Sequence, residues 1–345
     1  MRTNDAQMLV LSALADGPLH GYGVNATIER MTGNRLGRGS LSSALSRLRD
    51  KGLVEQLAGE GRRRPLRLTE DGRATLEREL AALAEVTGRM FETAVPDRAG
   101  YLDRLAATDP GRTYKELALA ALDVRPGQLV LDLGCGPGTD LPAFAAAAGP
   151  DGRVIGVDDD PRMVRLAHER TAALPTVEVL RADVHALPLP DGCADRAHTD
   201  RLLQHVADVP GVLAQARRVL RPGGRLVAAE PDWDTLALDH PDLEIARGYT
   251  RHIADRIVRN SVVGRQLPRL AARQGFTVSQ VTPVTTVLRD LRTADQILGL
   301  QRNTERAVAA GYLTRVQATS LLTHLAEGPF FAAVTLHVVT AERTD

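Results

Sequence analysis

Residues 127–140 read Gly-Gln-Leu-Val-Leu-Asp-Leu-Gly-Cys-Gly-Pro-Gly-Thr-Asp. An apolar run, Leu129 to Leu133, carries one acid, Asp132, and then breaks at Gly134, Gly136 and Gly138. A short apolar run bounded by glycines is the pattern of a buried parallel strand. The glycines let backbone approach a nucleoside-sized ligand with no Cβ in the way. Alone, this pattern is shared by dinucleotide dehydrogenases and nucleoside-binding transferases. Further acids sit at strand ends. Asp158 closes Val154-Ile155-Gly156-Val157, where a carboxylate would hold vicinal ribose hydroxyls. Asp183 follows Val177 to Leu180, where it can accept from an exocyclic adenine amine. Arg221-Pro222-Gly223-Gly224 reads as a turn before a strand, and no Gly-Lys-Ser/Thr occurs, which argues against nucleotide triphosphate hydrolysis.

The elements that position these residues alternate in type from about Gly111 to Asp345, which implies βαβ units and a parallel sheet. The spacing predicts helices over Met163–Ala173, around Leu202–Val206 and over Val212–Leu220. It predicts strands at Asp195–Thr199, Gly224–Ala229, Phe276–Val281 and Phe331–Val339. A partly apolar helical run from Leu243 to Val258, followed by Val263-Gly264-Arg265-Gln266, is expected to lid an acceptor pocket.

Residues 1–93 form a different unit. Helical spacing covers Met8–Leu14, His20–Met31 and Ser40–Arg49, with Gly52 placed to end the third helix. Short strands at Leu53–Leu57 and Pro65–Leu68 flank a turn carrying Arg62, Arg63 and Arg64, and a longer helix runs from Gly72 to about Phe91. This is the plan of a winged helix-turn-helix. The unit resembles the PadR family of winged-helix regulators in Gly17-Pro18-Leu19-His20-Gly21-Tyr22, Ala44-Leu45-Ser46-Arg47-Leu48, Gly52-Leu53-Val54-Glu55 and Arg67-Leu68-Thr69-Glu70-Asp71-Gly72. The resemblance implies DNA binding and dimerisation. Between Arg30 and Arg67 ten basic residues face three acids, an excess suited to phosphates if it lies on one face, with Arg47, Arg49, Arg62, Arg63 and Arg64 the candidate contacts. Against DNA contact, Ser42-Ser43 stand where that family carries tyrosine and proline. Residues 94–110 are expected to be a linker.

Residues 111–345 resemble the class I S-adenosylmethionine-dependent small-molecule methyltransferases. The matching stretches are Leu131 to Gly138, Val157-Asp158 with Pro161 and Met163, Ala182-Asp183-Val184, Leu202 to Val206, and Leu220 to Leu226. The resemblance implies a seven-stranded Rossmann-like α/β sheet and S-adenosyl-L-methionine as cofactor. It assigns Asp132, Gly134, Gly136, Gly138, Asp158, Met163, Asp183, Val184 and Thr199 to the cofactor. Asp200 and His205 become candidate catalytic bases, needed only where the acceptor keeps a proton on its attacking atom. Arg201, Asp232, Trp233, His252 and Arg265 become candidates for the acceptor pocket, with Trp233 pointing to an apolar or aromatic acceptor.

Composition bounds the remaining choices. Of 345 residues, 43% are hydrophobic, and Lys and Arg together equal Asp and Glu at 43 each, so bulk charge does not make the whole chain a polyanion binder. Lys51 and Lys115 are the only lysines, a bias that reads as genomic composition. Two cysteines, Cys135 and Cys193, provide neither a disulfide framework nor a metal cluster, so no metal is expected. No signal segment or membrane-length apolar run is seen, and a cytoplasmic homodimer is expected. The leading reading is methyl transfer to a small molecule by in-line displacement. The alternative is a DNA-binding regulator whose methyltransferase-like domain senses S-adenosylmethionine or another ligand. A nucleic-acid methyltransferase is disfavoured, because the sequence lacks Asn/Asp-Pro-Pro-Tyr/Phe and a Pro-Cys nucleophile.

Overall fold

The structure, a computed structural model, describes residues 6–32, 34–58, 64–88 and 98–344. In chain order the first elements are α1 (Ala6–Ala13), α2 (Gly21–Thr32), α3 (Arg38–Asp50), β1 (Val54–Gln56), β2 (Leu66–Leu68) and α4 (Glu70–Gly88). Then come α5 (Arg98–Ala107), α6 (Asp109–Leu122), β3 (Leu129–Leu133), α7 (Leu141–Ala148), β4 (Arg153–Asp158), α8 (Pro161–Thr171), β5 (Val177–Arg181), β6 (Ala194–Asp200), α9 (Val209–Val219) and β7 (Leu220–Leu238). The chain continues with α10 (Leu243–His252), a π-helical turn (Ile253–Ile257), α11 (Val263–Arg273), β8 (Phe276–Leu288), α12 (Leu291–Leu298), α13 (Leu300–Ala309), α14 (Arg315–Glu327) and β9 (Ala332–Arg343).

Two compact units result. One holds residues 1–93, 238–252 and 289–331; the other holds 94–237, 253–288 and 332–345. The linear division expected from sequence, at residues 93 and 111, therefore does not describe the packing. The helices α12 to α14 lie in a segment between β8 and β9 that sequence reading passes over, and they are counted with the winged-helix unit. The expected linker at 94–110 holds α5 and the start of α6, whose N-terminus is capped by Thr108 Oγ1 accepting from Gly111 N at 3.0 Å.

In the winged-helix unit, β1 and β2 pair antiparallel with Val54 opposite Leu68. Val10, Leu14, Val24, Ile28, Leu48 and Leu76 form its core. Gly72 is required by close approach: a Cβ there would lie 1.9 Å from Leu53 O. The candidate arginines Arg47, Arg49 and Arg64 are exposed, while Arg62 and Arg63 lie outside the described residues. Helix α4 ends at Gly88, and residues 89–91 of the expected helix also lie outside them.

The other unit is the expected α/β sheet, seven strands in the order β5-β4-β3-β6-β7-β9-β8. Strands β3 to β7 run parallel, and β8 pairs antiparallel with β9. Alternate residues feed two layers, as a sheet covered on both faces requires. Leu131, Leu133, Ile155 and Val157 pack toward α9 and α11, and Val130, Val154, Val179 and Val227 toward α6 and α7. The chain enters at β3, winds outward to β5, and returns to β6 on the other side of β3. That reversal is the topological switch point, where open α/β sheets bind ligands beyond their carboxyl ends.

The expected helix over 202–206 is instead a turn. Its backbone groups are engaged from outside. Glu230 Oε1 and Oε2 accept from Leu203 N and Gln204 N at 2.6 and 3.3 Å, and Asn260 Nδ2 donates to Leu203 O and Val206 O at 2.8 Å each. These bonds take groups that a helical ladder would use.

Candidate functional site

The glycine loop follows β3 directly. Gly134, Gly136 and Gly138 have φ of 70°, 53° and 75°, a region that favours glycine. Gly134 N and Cys135 N both donate to Val157 O, at 2.8 and 3.0 Å, which ties the loop to the end of β4. A Cβ on Gly134 would sit 2.7 Å from Leu202 Cδ1 and 3.1 Å from its Cβ, so the loop packs against Leu202 too closely for a side chain. Asp158 braces the same loop: Oδ2 accepts from Gly136 N at 2.9 Å and Oδ1 from Asp160 N at 3.0 Å. These bonds fix the orientation of the carboxylate beside the loop.

Other expected cofactor residues have differing environments. Met163 and Val184 are buried. Asp183 is exposed, and its Oδ1 accepts from His185 N at 2.8 Å; that backbone bond holds its carboxyl below the usual range. Asp132 is 3% exposed and lies 2.8 Å from His198 Nδ1. Burial alone would lower the His198 imidazole, but the Asp132 carboxylate raises it.

At the carboxyl end of β6, three consecutive residues each bury a polar atom that has no hydrogen-bond partner among the described residues: Thr199 Oγ1, Asp200 Oδ1 and Arg201 Nε. Buried polar groups are nearly always paired, so three adjacent orphans mark the place of a polar ligand. Arg201 also holds φ at 53°, a left-handed conformation that costs an arginine energy and that clusters at functional sites. Its guanidinium lies 5.7 Å over the Tyr114 ring.

The other oxygen of Asp200 is committed. Lys115 Nζ donates to Asp200 Oδ2 at 2.7 Å and to Asp140 Oδ2 at 2.6 Å, and Tyr114 Oη donates to Asp200 Oδ2 at 2.9 Å. Burial opposes charge on Lys115, but Asp200 foremost, with Asp140, holds its pKa well above the ordinary lysine value. Burial would raise Asp200, but the Lys115 charge first, then Arg201, holds it below the usual range. Asp200 is thus an ionised, positioned carboxylate. Asp132, Asp140 and His198 are close enough to ligate a metal, but Lys115 already brings a positive charge to this acid cluster.

Beside it, Glu230 is fully buried, and burial pushes its carboxyl up to about 8 against the pull of its bonds from Leu203 N and Gln204 N. Trp233 Nε1 donates to Gln204 Oε1 at 2.7 Å, and Gln204 Nε2 donates to Arg201 O at 3.2 Å. Asp232 is buried and ion-paired with Arg265, whose Nη2 donates to Oδ1 at 2.9 Å. His205 is an exposed turn residue rather than the start of a helix in apolar surroundings. His252 is counted with the winged-helix unit, where its ring packs edge-on to Tyr312 at 5.3 Å.

Comparison with known proteins agrees with this geometry. A PadR-like transcriptional-regulator profile matches residues 10–78, and a methyltransferase-domain profile matches residues 131–228, the span of the glycine loop and strand ends. The chain is 62% identical over 344 residues to a 37.1 kDa protein of transposon Tn4556 from Streptomyces fradiae, with 100% of both chains covered. The chain carries a methyltransferase domain beside a PadR-like one and belongs to one family with this transposon protein. A demethylmenaquinone methyltransferase of Staphylococcus aureus is 29% identical over 152 residues, 44% of this chain and 63% of that enzyme. The YcgJ protein of Bacillus subtilis shares the fold at a TM-score of 0.50 and 18% identity, covering 68% of this chain and 99% of that one.

The methyltransferase residues fit S-adenosylmethionine on two counts: a glycine loop held at positive φ beside the Asp158 carboxylate, and the orphaned Thr199 Oγ1 at the adjoining strand end. Sequence reasoning does not reach Tyr114, Lys115 or Asn260. The available signal is that Lys115 is one of only two lysines among 43 basic residues, so a lysine there is a choice of charge shape rather than of composition.

Proposed function

We propose that this methyltransferase transfers a methyl group to a small-molecule acceptor bound at the carboxyl ends of β6 and β7. The observation carrying the reading is the pair of orphaned atoms Asp200 Oδ1 and Arg201 Nε. They are buried, so they suit a molecule that enters the fold rather than a polymer lying on its surface. The reading assigns the loop at Gly134, Gly136 and Gly138, with Asp132, Asp158, Met163, Asp183, Val184 and Thr199, to the cofactor. Bound there, S-adenosylmethionine supplies an electrophilic methyl group on a sulfonium sulfur. The residues supply orientation and dryness, which carry most of the acceleration in such a displacement. Arg201 and Asp200, fixed by Tyr114 and Lys115, orient the acceptor. Asp200 is held ionised and neutralised by Lys115, which makes it a positioning carboxylate rather than a strong base. Trp233 supports an apolar or aromatic acceptor.

The test uses S-adenosylmethionine labelled in the methyl group, the full chain, and a metabolite extract of a Streptomyces culture. Label should enter a low-mass, organic-extractable fraction. Label confined to acid-precipitable nucleic acid or protein would overturn the reading.

A second reading concerns the winged helix, where Arg47, Arg49 and Arg64 are exposed. Two other basic residues there are neutralised, Arg35 by Glu29 and Arg67 by Glu55, so the positive face is narrower than the sequence count. DNA binding would appear as salt-sensitive retardation of the gene's own upstream DNA. Dimerisation through α4 would appear as a doubled mass in light scattering.

A further inference from the structure

The winged-helix unit borders a cleft that the methyl-transfer reading leaves unused. A cavity of about 680 Å³ lies between α4 on one side and α13 and α14 on the other. Leu80, Val308, Ala318 and Leu322 give it apolar walls. A smaller cavity of about 180 Å³ shares Leu80 and Thr319 with it.

Two features argue that this space holds a ligand rather than solvent. The first is size: 680 Å³ is the volume of ordinary ligand pockets, roughly 300–1,000 Å³. The second is unmet hydrogen bonding. Thr304 is 1% exposed, lines the cavity, and its Oγ1 has no partner among the described residues. Thr323, 7% exposed, presents an equally unpaired Oγ1 to the smaller cavity.

The polar groups also define what the ligand carries. Gln301 Nε2 donates to Glu305 Oε1 at 3.1 Å, which fixes Gln301 Oε1 as a buried acceptor without a donor. Glu77 and Glu305 line the same space against one cation, Arg315. Acceptors and net negative charge call for N–H donors and positive charge.

We propose that this cavity is a second ligand site, which takes an amphipathic organic amine with its apolar body against Leu80, Val308 and Leu322, and its charged nitrogen toward Gln301, Glu305 and Glu77. The site is built by joining the winged helix to the segment inserted between β8 and β9. The amine therefore engages α4, an element of the winged helix, through helices that a bare winged-helix domain does not possess. A ligand that binds the folded unit stabilises this packing by mass action.

Two xanthene dyes of matched size and opposite charge test this on the full chain by fluorescence anisotropy: rhodamine 6G, a cation with N–H donors, and fluorescein, an anion. Rhodamine 6G is expected to bind at micromolar concentration and fluorescein at least about tenfold more weakly. Glu305→Gln should weaken rhodamine 6G binding by about fivefold or more and leave fluorescein unchanged. Ala318→Trp, which fills the space, should abolish binding. Thr304→Val, which keeps shape and removes the orphan hydroxyl, provides a variant that folds if Ala318→Trp does not, and should change rhodamine 6G affinity by at least about threefold in either direction. Circular dichroism melts report folding independently of methyl-transfer activity. Fluorescein binding as tight as rhodamine 6G would overturn the proposal. So would dye binding indifferent to every variant that folds, or no binding up to about 100 μM dye.

Discussion

Replacing Lys115 with methionine removes the ammonium that Asp140 and Asp200 share, while keeping the length of its apolar stem. Its bonds are 2.6 and 2.7 Å, and its side chain is 19% exposed, against 19% for Asp140 and 12% for Asp200. Breaking a buried pair by deleting one partner costs about 3–5 kcal/mol. Water reaches this cluster in part, so about 2–3 kcal/mol is expected, a loss of roughly 5–10 °C in melting temperature for a unit of this size. The pH dependence follows from the two shifts. Lys115 is raised, so its contribution is complete below its unfolded value and fades as pH rises through the folded one. Asp200 is depressed, so its contribution is complete above its unfolded value and fades as pH falls through the folded one. The pair therefore contributes fully between about pH 4 and pH 10. In the variant Asp200 loses the charge that held it down, and its carboxyl rises. The deficit relative to the parent should be largest near neutrality and shrink toward pH 5. Urea melts at several pH values give both quantities. A deficit under about 0.5 kcal/mol at neutral pH, or one that does not change with pH, would refute this account of the cluster.

Other substitutions separate the donor side of the site from the acceptor side. Asp158→Ala removes the brace on Gly136 N and a proposed ribose contact, and should weaken S-adenosylmethionine binding about tenfold or more by calorimetry. Gly134→Ala places a Cβ 2.7 Å from Leu202 Cδ1 at a φ of 70°, and should lower cofactor affinity and the melting temperature together. Glu230 has a folded pKa raised to about 8, so ionising it in the unfolded chain erodes stability as pH rises above its unfolded value. The melting temperature of Glu230→Gln relative to the parent should thus climb between pH 5 and pH 8. Trp233→Phe loses the bond to Gln204, and should raise the acceptor KM while leaving cofactor affinity unchanged.

The sheet was legible because its strands are near-continuous apolar runs ending in acids and glycines. Leu129–Leu133, Val154–Asp158 and Val177–Leu180 all form strands within a residue or two of their expected bounds. Periodicity misled at Leu202–Val206, where the side chains of Glu230 and Asn260 claim backbone groups from a distance in sequence. Helices α12 to α14 escape a periodicity reading because they are short runs of 8, 10 and 13 residues, interrupted at Gly299 and Gly311, both at positive φ. The Lys115 cluster escapes it too. It joins α6 to the start of α7 and the end of β6, the latter across 85 residues of chain, a separation that no local pattern encodes.

The central claim is that the loop following β3 and the acid at the end of β4 bind the methyl donor. Isothermal titration of the full chain with S-adenosylhomocysteine, which stands in for the donor without reacting, tests it most directly. One site per chain with micromolar affinity is expected, weakened about tenfold or more in Asp158→Ala. No measurable binding to the folded parent protein, or equal binding by the variant, would contradict it.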